Sequence, residues 1–363
     1  MQKHTSIFIS DWGGNPYKTL LSKHLYSYGI LVEELKWSTL FVHRILAYKH
    51  VRILHFHTLH PFLLGKSKVA RLAKLIFFAA QITLLKLFNI RAIWTVHELK
   101  DKLGDNTDNI SSLQARVLGV FMDGFIVHCE STKDSVVELF ALQGKEYKVH
   151  VIPHGNYIDI YKNEISSADA RTKLRLSEHE FVFLLIGGIY RYKGVLEAIK
   201  AFKTIETSNM HLVIAGKLCE TGLEEDITTA IKDSQNILFA PTKVEDDDMQ
   251  VYINAADCVL LPYGVFTTSG IALLAMSFGK ACIAPSIGFF KDVLQGAGPL
   301  LYDANDQVGL FSAMSFAKNH PTKVDQIGHQ NFILAQSWSW DYVAERTYRA
   351  YGYRNTSNEA TRV

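Results

Sequence analysis

The sequence predicts an α/β protein made of two successive halves, each a parallel sheet with crossover helices. Three observations predict it. Short β-branched or apolar runs alternate with longer helical patterns along the whole chain. The alternation breaks once, over a polar stretch near the middle, and then restarts. At 363 residues the chain is too long for one ordinary core and suits two. Composition agrees: 48% of residues are hydrophobic and 20% charged, as in a well-cored globular protein.

In the first half, strands are expected at 6–10, 53–57, 92–97, 124–129 and 149–152. Helices are expected between them at about 17–28, 66–88, 111–121 and 131–142. Residues 157–180 are polar and irregular and read as the connection. The second half offers strands at 181–187, 211–215, 237–240, 258–262 and 281–284. Two helical pieces follow, 331–336 and 338–351, and the polar tail after Arg354 reads as disordered.

Several function classes are disfavoured. The net charge is +2, from 38 basic and 36 acidic residues, so no global field calls for nucleic acid. The four cysteines, Cys129, Cys219, Cys258 and Cys282, form no CxxC pair and read as reduced thiols. His55 and His57 share one face of a strand, a spacing suited to ligation, but no carboxylate or cysteine nearby completes a metal set. The expectation is no metal. The N-terminus has no apolar segment with a cleavage site, and no apolar run reaches the ~20 residues needed to span a bilayer. A cytoplasmic protein is expected.

Two features point to an anionic ligand. The strand Phe181-Val-Phe-Leu-Leu-Ile runs into Gly187-Gly188-Ile-Tyr-Arg191-Tyr-Lys193-Gly194 and then a helix. Glycines after a buried strand let a ligand approach the backbone, and the following helix offers unpaired N–H groups. Arg191 and Lys193 add positive charge, although basic residues also simply decorate loops. The second feature is Pro262-Tyr263-Gly-Val-Phe-Thr267-Thr268-Ser269-Gly270, then Ile-Ala-Leu-Leu-Ala-Met-Ser-Phe and Gly279. Thr268 or Ser269 makes a good N-cap and Gly279 a good stop. A buried helix with a small hydroxylated N-terminus is a phosphate site, or an ordinary capped core helix.

In this order and spacing, from Asp11 to about Tyr351, the residues resemble GT-B glycosyltransferases of the family 4-like group. The resemblance rests on Asn15-Pro16-Tyr17, Ile93-Trp94-Thr95-Val96-His97, Val151-Ile-Pro153-His154-Gly155-Asn-Tyr157, Tyr192-Lys193-Gly194 and Ile214-Ala-Gly216-Lys217. Ala255-Ala256-Asp257 through Pro262-Tyr263, Thr268-Ser269-Gly270 and Gly279-Lys280 complete it. It implies two Rossmann-like domains facing across a cleft, at 1–160 and 175–336, with a helix at 338–353 packing back on the first. It implies a nucleotide-sugar donor (UDP or GDP) held by Gly188, Arg191, Lys193, Lys217, Tyr263, Thr268, Ser269 and Gly270, with the base near Thr242 and Lys243. His97 falls where relatives place a histidine against the donor sugar. No metal is implied, because basic side chains and a helix dipole stabilise the leaving nucleotide.

One departure stands out. Many retaining members carry two glutamates flanking this helix, and here those positions are Phe266 and Leu274. This puts the donor contacts and the stereochemistry in doubt. The Thr-Ser-Gly form resembles inverting mannosyltransferases of exopolysaccharide pathways. An inverting transfer needs a base from the first half, which nominates Asp11, His97, Glu98 and Asp101, with Gly13, Gly14 and Asn15 leaving room for the acceptor sugar. For Asp11 a helix cap or turn carboxylate is the competing reading.

The segment 66–88 is basic in its first turns and apolar later. It reads either as a crossover helix packed on the sheet or as a peripheral membrane contact beside a polyprenyl-diphosphate-linked acceptor. A non-catalytic partner subunit and a sugar-nucleotide epimerase remain competing functions.

Overall fold

The computed structural model describes residues 4–10, 16–99, 110–263 and 267–353. Asp11, Gly13, Gly14, Asn15, Asp101 and Phe266, all named above, lie outside the described residues. The chain divides into two compact units, 1–155 with 339–363, and 156–338.

The first unit holds strands β1 (His4–Ile9), β2 (Ile30–Leu35), β3 (Val51–Phe56), β4 (Arg91–Thr95), β5 (Gly124–Val127) and β6 (Val149–Val151). They pair in parallel in the order β2-β1-β3-β4-β5-β6. Alternation along β3 divides two cores: Leu54 and Phe56 face a cluster containing Phe78, Trp94 and Phe125, while Ile53 faces Tyr17, Trp340 and Tyr348. The segment expected at 66–88 is the helix Lys68–Leu87, capped by Ser67, whose side chain accepts from the Ala70 N–H at 3.1 Å. On its buried face Gln81 closes the loop that leads into the earlier short helix Val42–Leu46. Its Oε1 accepts from Phe41 N–H at 2.8 Å and its Nε2 donates to the Thr39 carbonyl at 2.9 Å.

The helix Trp340–Ala350 belongs to this first unit, although it follows the second in sequence. Trp340 packs on Tyr17, Tyr348 on Tyr28, and His24 lies 2.6 Å from Asp341. Gly155 is required for this docking, because a Cβ there would sit 2.4 Å from the Trp340 ring.

The second unit holds β7 (Phe181–Ile186), β8 (Met210–Ala215), β9 (Ile237–Ala240), β10 (Cys258–Leu260), β11 (Ala281–Pro285) and β12 (Leu301–Tyr302). They are also parallel, in the order β12-β11-β10-β7-β8-β9. β7 is buried at every position, as its unbroken apolar run requires.

Two readings of the sequence are corrected here. Strands β2 and β12 were not expected. The stretch 157–180 is not an irregular connection but part of the second unit. Its helix Ser167–Lys173 packs on the helix Met249–Ala255. Arg171 fastens it there, donating to the Ala255, Glu178 and Glu180 carbonyls and pairing with Asp257 at 2.8 Å. Among the described residues no helix is long and apolar enough to cross a membrane.

Candidate functional site

In the second sheet the chain runs outward from β7 through β8 and β9, then restarts on the other side with β10. The strand ends of β7 and β10 therefore flank a topological switch point, where open α/β sheets leave a crevice for ligands. Gly187-Gly188 follows β7 and Pro262-Tyr263 follows β10.

The turn after β7 closes at Gly194, whose φ of 70° is left-handed and whose added Cβ would lie 2.4 Å from the Pro262 carbonyl oxygen. That close approach brings Lys193 to the crevice. Its ammonium sits 5.6 Å from the ring centroids of both Tyr190 and Tyr263. The space above Gly187 is bounded by Ile271 and Lys193, at 3.1 and 3.8 Å from the place of a Cβ there.

Ser269 caps the helix Gly270–Ser277, accepting from the Ala272 N–H at 3.2 Å. Tyr263 hydrogen-bonds Ser269, and burial, offset in part by that bond, raises its phenol so that it stays protonated. Lys193, Tyr263 and the helix N-terminus thus form one continuous cluster. Thr268 adds a buried Oγ1 with no hydrogen-bond partner among the described residues, and the Tyr157 hydroxyl lies 3.4 Å from the place of a Cβ on Gly270.

The other expected donor residues fall into two groups. Gly188 lies against the Tyr190 ring and Cys219, whose hydrogen bond raises the Tyr190 phenol to about 12. Lys217 lies two residues beyond β8, its carbonyl accepting from the Ile189 N–H at 2.8 Å. Arg191 is already ion-paired. Its guanidinium pairs with Asp226 and with Glu220, carboxylates that compete with an anionic ligand. Thr242 and Lys243 are exposed after β9, and Lys243 is paired with Glu245 at 2.7 Å. Beside the cluster a groove of about 800 Å³ runs from Tyr192 and Tyr263 between the helices Val195–Ile205 and Gly309–Asn319.

The first unit gathers histidines at successive strand ends. His57 follows β3, His97 follows β4, His128 follows β5 and His154 follows β6. Tyr17 stands among them, its ring packed against all four. His57 Nδ1 is 3.2 Å from His97 Nε2, and His97 Nδ1 is 3.4 Å from His128 Nε2. His128 Nδ1 is 2.9 Å from the Ile152 carbonyl, and His154 Nδ1 is 2.8 Å from that of Gly155. His55 stacks on His57 and bridges Tyr351 and Thr95 at 2.7 and 2.6 Å.

Burial holds these rings neutral. It lowers His55 to about 3, His154 to about 3 and His128 to about 4, while His57 and His97 fall well below the ordinary value. His97 is therefore a neutral hydrogen-bonding group and a weak base. Glu98, next along the chain, is half-buried. Among the described residues no group of three or more His, Cys, Asp or Glu side chains is placed to hold a metal. The sequence reading passed over His128 and the grouping of the histidines. A histidine one to three residues beyond each of four consecutive strands was the available signal.

Residues 180–317 match the family described as glycosyl transferases group 1. The lipopolysaccharide 1,2-N-acetylglucosaminetransferase of Salmonella typhimurium is 27% identical over 217 residues, covering 54% of this chain and 55% of that protein. The GDP-mannose:glycolipid 4-beta-D-mannosyltransferase of Xanthomonas campestris pv. campestris is 25% identical over 166 residues, 45% of each chain. The chain thus spans about half the length of these curated relatives. Among solved structures, the sucrose-phosphate synthase of Thermosynechococcus elongatus superposes with a TM-score of 0.75 at 17% identity, covering 96% of this chain and 98% of that one. The two parallel six-stranded sheets and the likeness to solved structures show the GT-B fold, and within it residues 180–317 match the glycosyl transferases group 1 family.

Proposed function

We propose that the protein transfers a sugar from a GDP- or UDP-linked donor to a glycan or lipid-linked oligosaccharide in polysaccharide biosynthesis. The observation that carries the reading is the meeting of Lys193, Tyr263 and the Ser269-capped helix at the switch point of the second sheet. The names of the two curated relatives support the substrate classes.

In this reaction the acceptor oxygen attacks the anomeric carbon while the bond to the nucleoside diphosphate breaks. Charge grows on the departing phosphate. Lys193 neutralises it, and the N–H groups of Ser269 and Gly270 with the Thr268 hydroxyl solvate it without reorganising. Metal is not needed for that task. The acceptor proton passes to a carboxylate, for which Glu98 and Asp11 are the choices, and His97 orders the sugar side of the site through its contacts with His57 and His128.

The same reading puts the protein in the cytoplasm, peripheral on the inner face of the plasma membrane. The helix Lys68–Leu87 supports this, with Val69, Leu72, Ile76, Leu84 and Leu87 all exposed on a segment that starts with Lys66 and Lys68.

Lys193→Ala is the direct test. Donor turnover should drop about 10²-fold, the scale of a lost contact to transition-state charge. In parallel, GDP or UDP should raise the melting temperature of the native chain and not of the variant. Near-normal turnover by the variant rejects the phosphate assignment. A second reading, a partner subunit without activity, is favoured by the buried Leu274 where many relatives carry a glutamate. It predicts neither a nucleotide-induced shift nor donor hydrolysis.

A further inference from the structure

The histidine chain of the first unit has a direction. A neutral imidazole has one N–H and one bare nitrogen, and its neighbours decide which is which. The Ile152 carbonyl can only accept, so His128 carries its proton on Nδ1 and its Nε2 is bare. His97 must then donate from Nδ1 to that bare nitrogen, leaving its own Nε2 to accept from His57 Nδ1. The last bare nitrogen is His57 Nε2. It is buried, and among the described residues no group hydrogen-bonds it.

Its place in the fold is also specific. In the first sheet the chain runs from β1 to β2 on one side and from β3 onward on the other, so β1 and β3 flank the switch point. His57 sits there, its backbone N–H donating to the Ile9 carbonyl at 2.9 Å. The groups around the chain are Tyr17 and Lys18 from the helix Pro16–Tyr26, His55, Thr95, His154, and Trp340 from the C-terminal helix. An unsatisfied buried acceptor at a ligand crevice calls for an O–H donor.

We propose that His57, His97 and His128 form an imidazole chain locked in one direction by the Ile152 carbonyl, whose open end, His57 Nε2, accepts a hydrogen bond from a hydroxyl of a bound sugar. That the hydroxyl belongs to a sugar rests on the glycosyltransferase reading; the direction of the chain does not. His57 is then a substrate-binding residue, and His97 and His128 position it.

The experiment uses the full chain labelled with ¹⁵N-histidine, read by long-range proton–nitrogen correlation at neutral pH. His57, His97 and His128 should all be in the Nδ1–H form, the minor tautomer of free histidine. A His57→Gln chain assigns the open nitrogen. His128→Leu should change the His97 and His57 nitrogen shifts while sparing His55, and His128→Gln serves if the leucine variant does not fold. An Nε2–H ring at any of the three positions in the native chain overturns the lock. Methyl α-mannoside or methyl α-glucoside, added to high concentration, should move the His57 Nε2 signal upfield in a saturable manner. A signal unmoved by both sugars means that only water occupies the site, which overturns the sugar-binding half. Neither readout depends on Lys193 or on turnover, so failure here is distinct from failure of the donor assignment.

Discussion

Mild acid should unfold the first unit, and the size of the effect follows from its histidines. His55, His57, His97, His128 and His154 are all lowered from 6.5 when folded, by burial first of all. In the unfolded chain each titrates near its ordinary value. Below that value the unfolded state binds protons that the folded state refuses, so stability is complete above pH ~6.5 and is lost as the pH falls. Between about pH 7.5 and about pH 5.5 each such histidine forfeits ~1.4 kcal/mol, and five together set a ceiling of ~7 kcal/mol. A whole domain has only ~5–15 kcal/mol. Urea titrations followed by the fluorescence of the buried Trp94 and Trp340 should show a steep fall of the midpoint across this range. The His128→Leu chain should lose about a fifth less. An unchanged midpoint from about pH 7.5 to about pH 5.5 would refute the claim that these rings are held neutral.

Two further outcomes are expected. Ser269→Ala should cost the second unit ~1 kcal/mol in urea unfolding, the usual worth of an N-cap, and should weaken nucleotide binding more than that loss explains. Equal losses in stability and binding would make Ser269 a structural cap only. Lys66→Glu with Lys68→Glu and Ile76→Glu should abolish pelleting with anionic vesicles. Arg71 and Lys74 are poor choices for that test, because they hold the carbonyls of Gly65, Pro61 and Leu64. Pelleting that survives the three changes removes the membrane contact.

The parts legible in the sequence were those whose cause is local. The apolar run of β7, the glycines after it and the Ser269 cap each act within a few residues, and the structure brings Lys193 and Ser269 together as separate local signals suggested. What escaped depends on partners far along the chain. Arg191 looks like a phosphate ligand until Glu220 and Asp226 arrive beside it. The stretch 157–180 looks irregular because its order comes from Arg171 reaching residues 255 and 257. β2 alternates poorly, with Glu33 and Glu34 at a sheet edge, and hid behind the helix before it. The histidines were each visible, but only the parallel register of β3 to β6 makes them neighbours.

The return of the helix Trp340–Ala350 has a consequence for synthesis. The second unit is one uninterrupted length of chain and can fold without any later segment. The first cannot, although its strands emerge earlier, because Trp340 and Tyr351 roof the histidines and are translated only after the whole second unit. Until then a row of imidazoles stands open to water and free to take up protons. The older half of the nascent chain thus waits for the younger, and a ribosome stalled after residue 338 would leave it the vulnerable one.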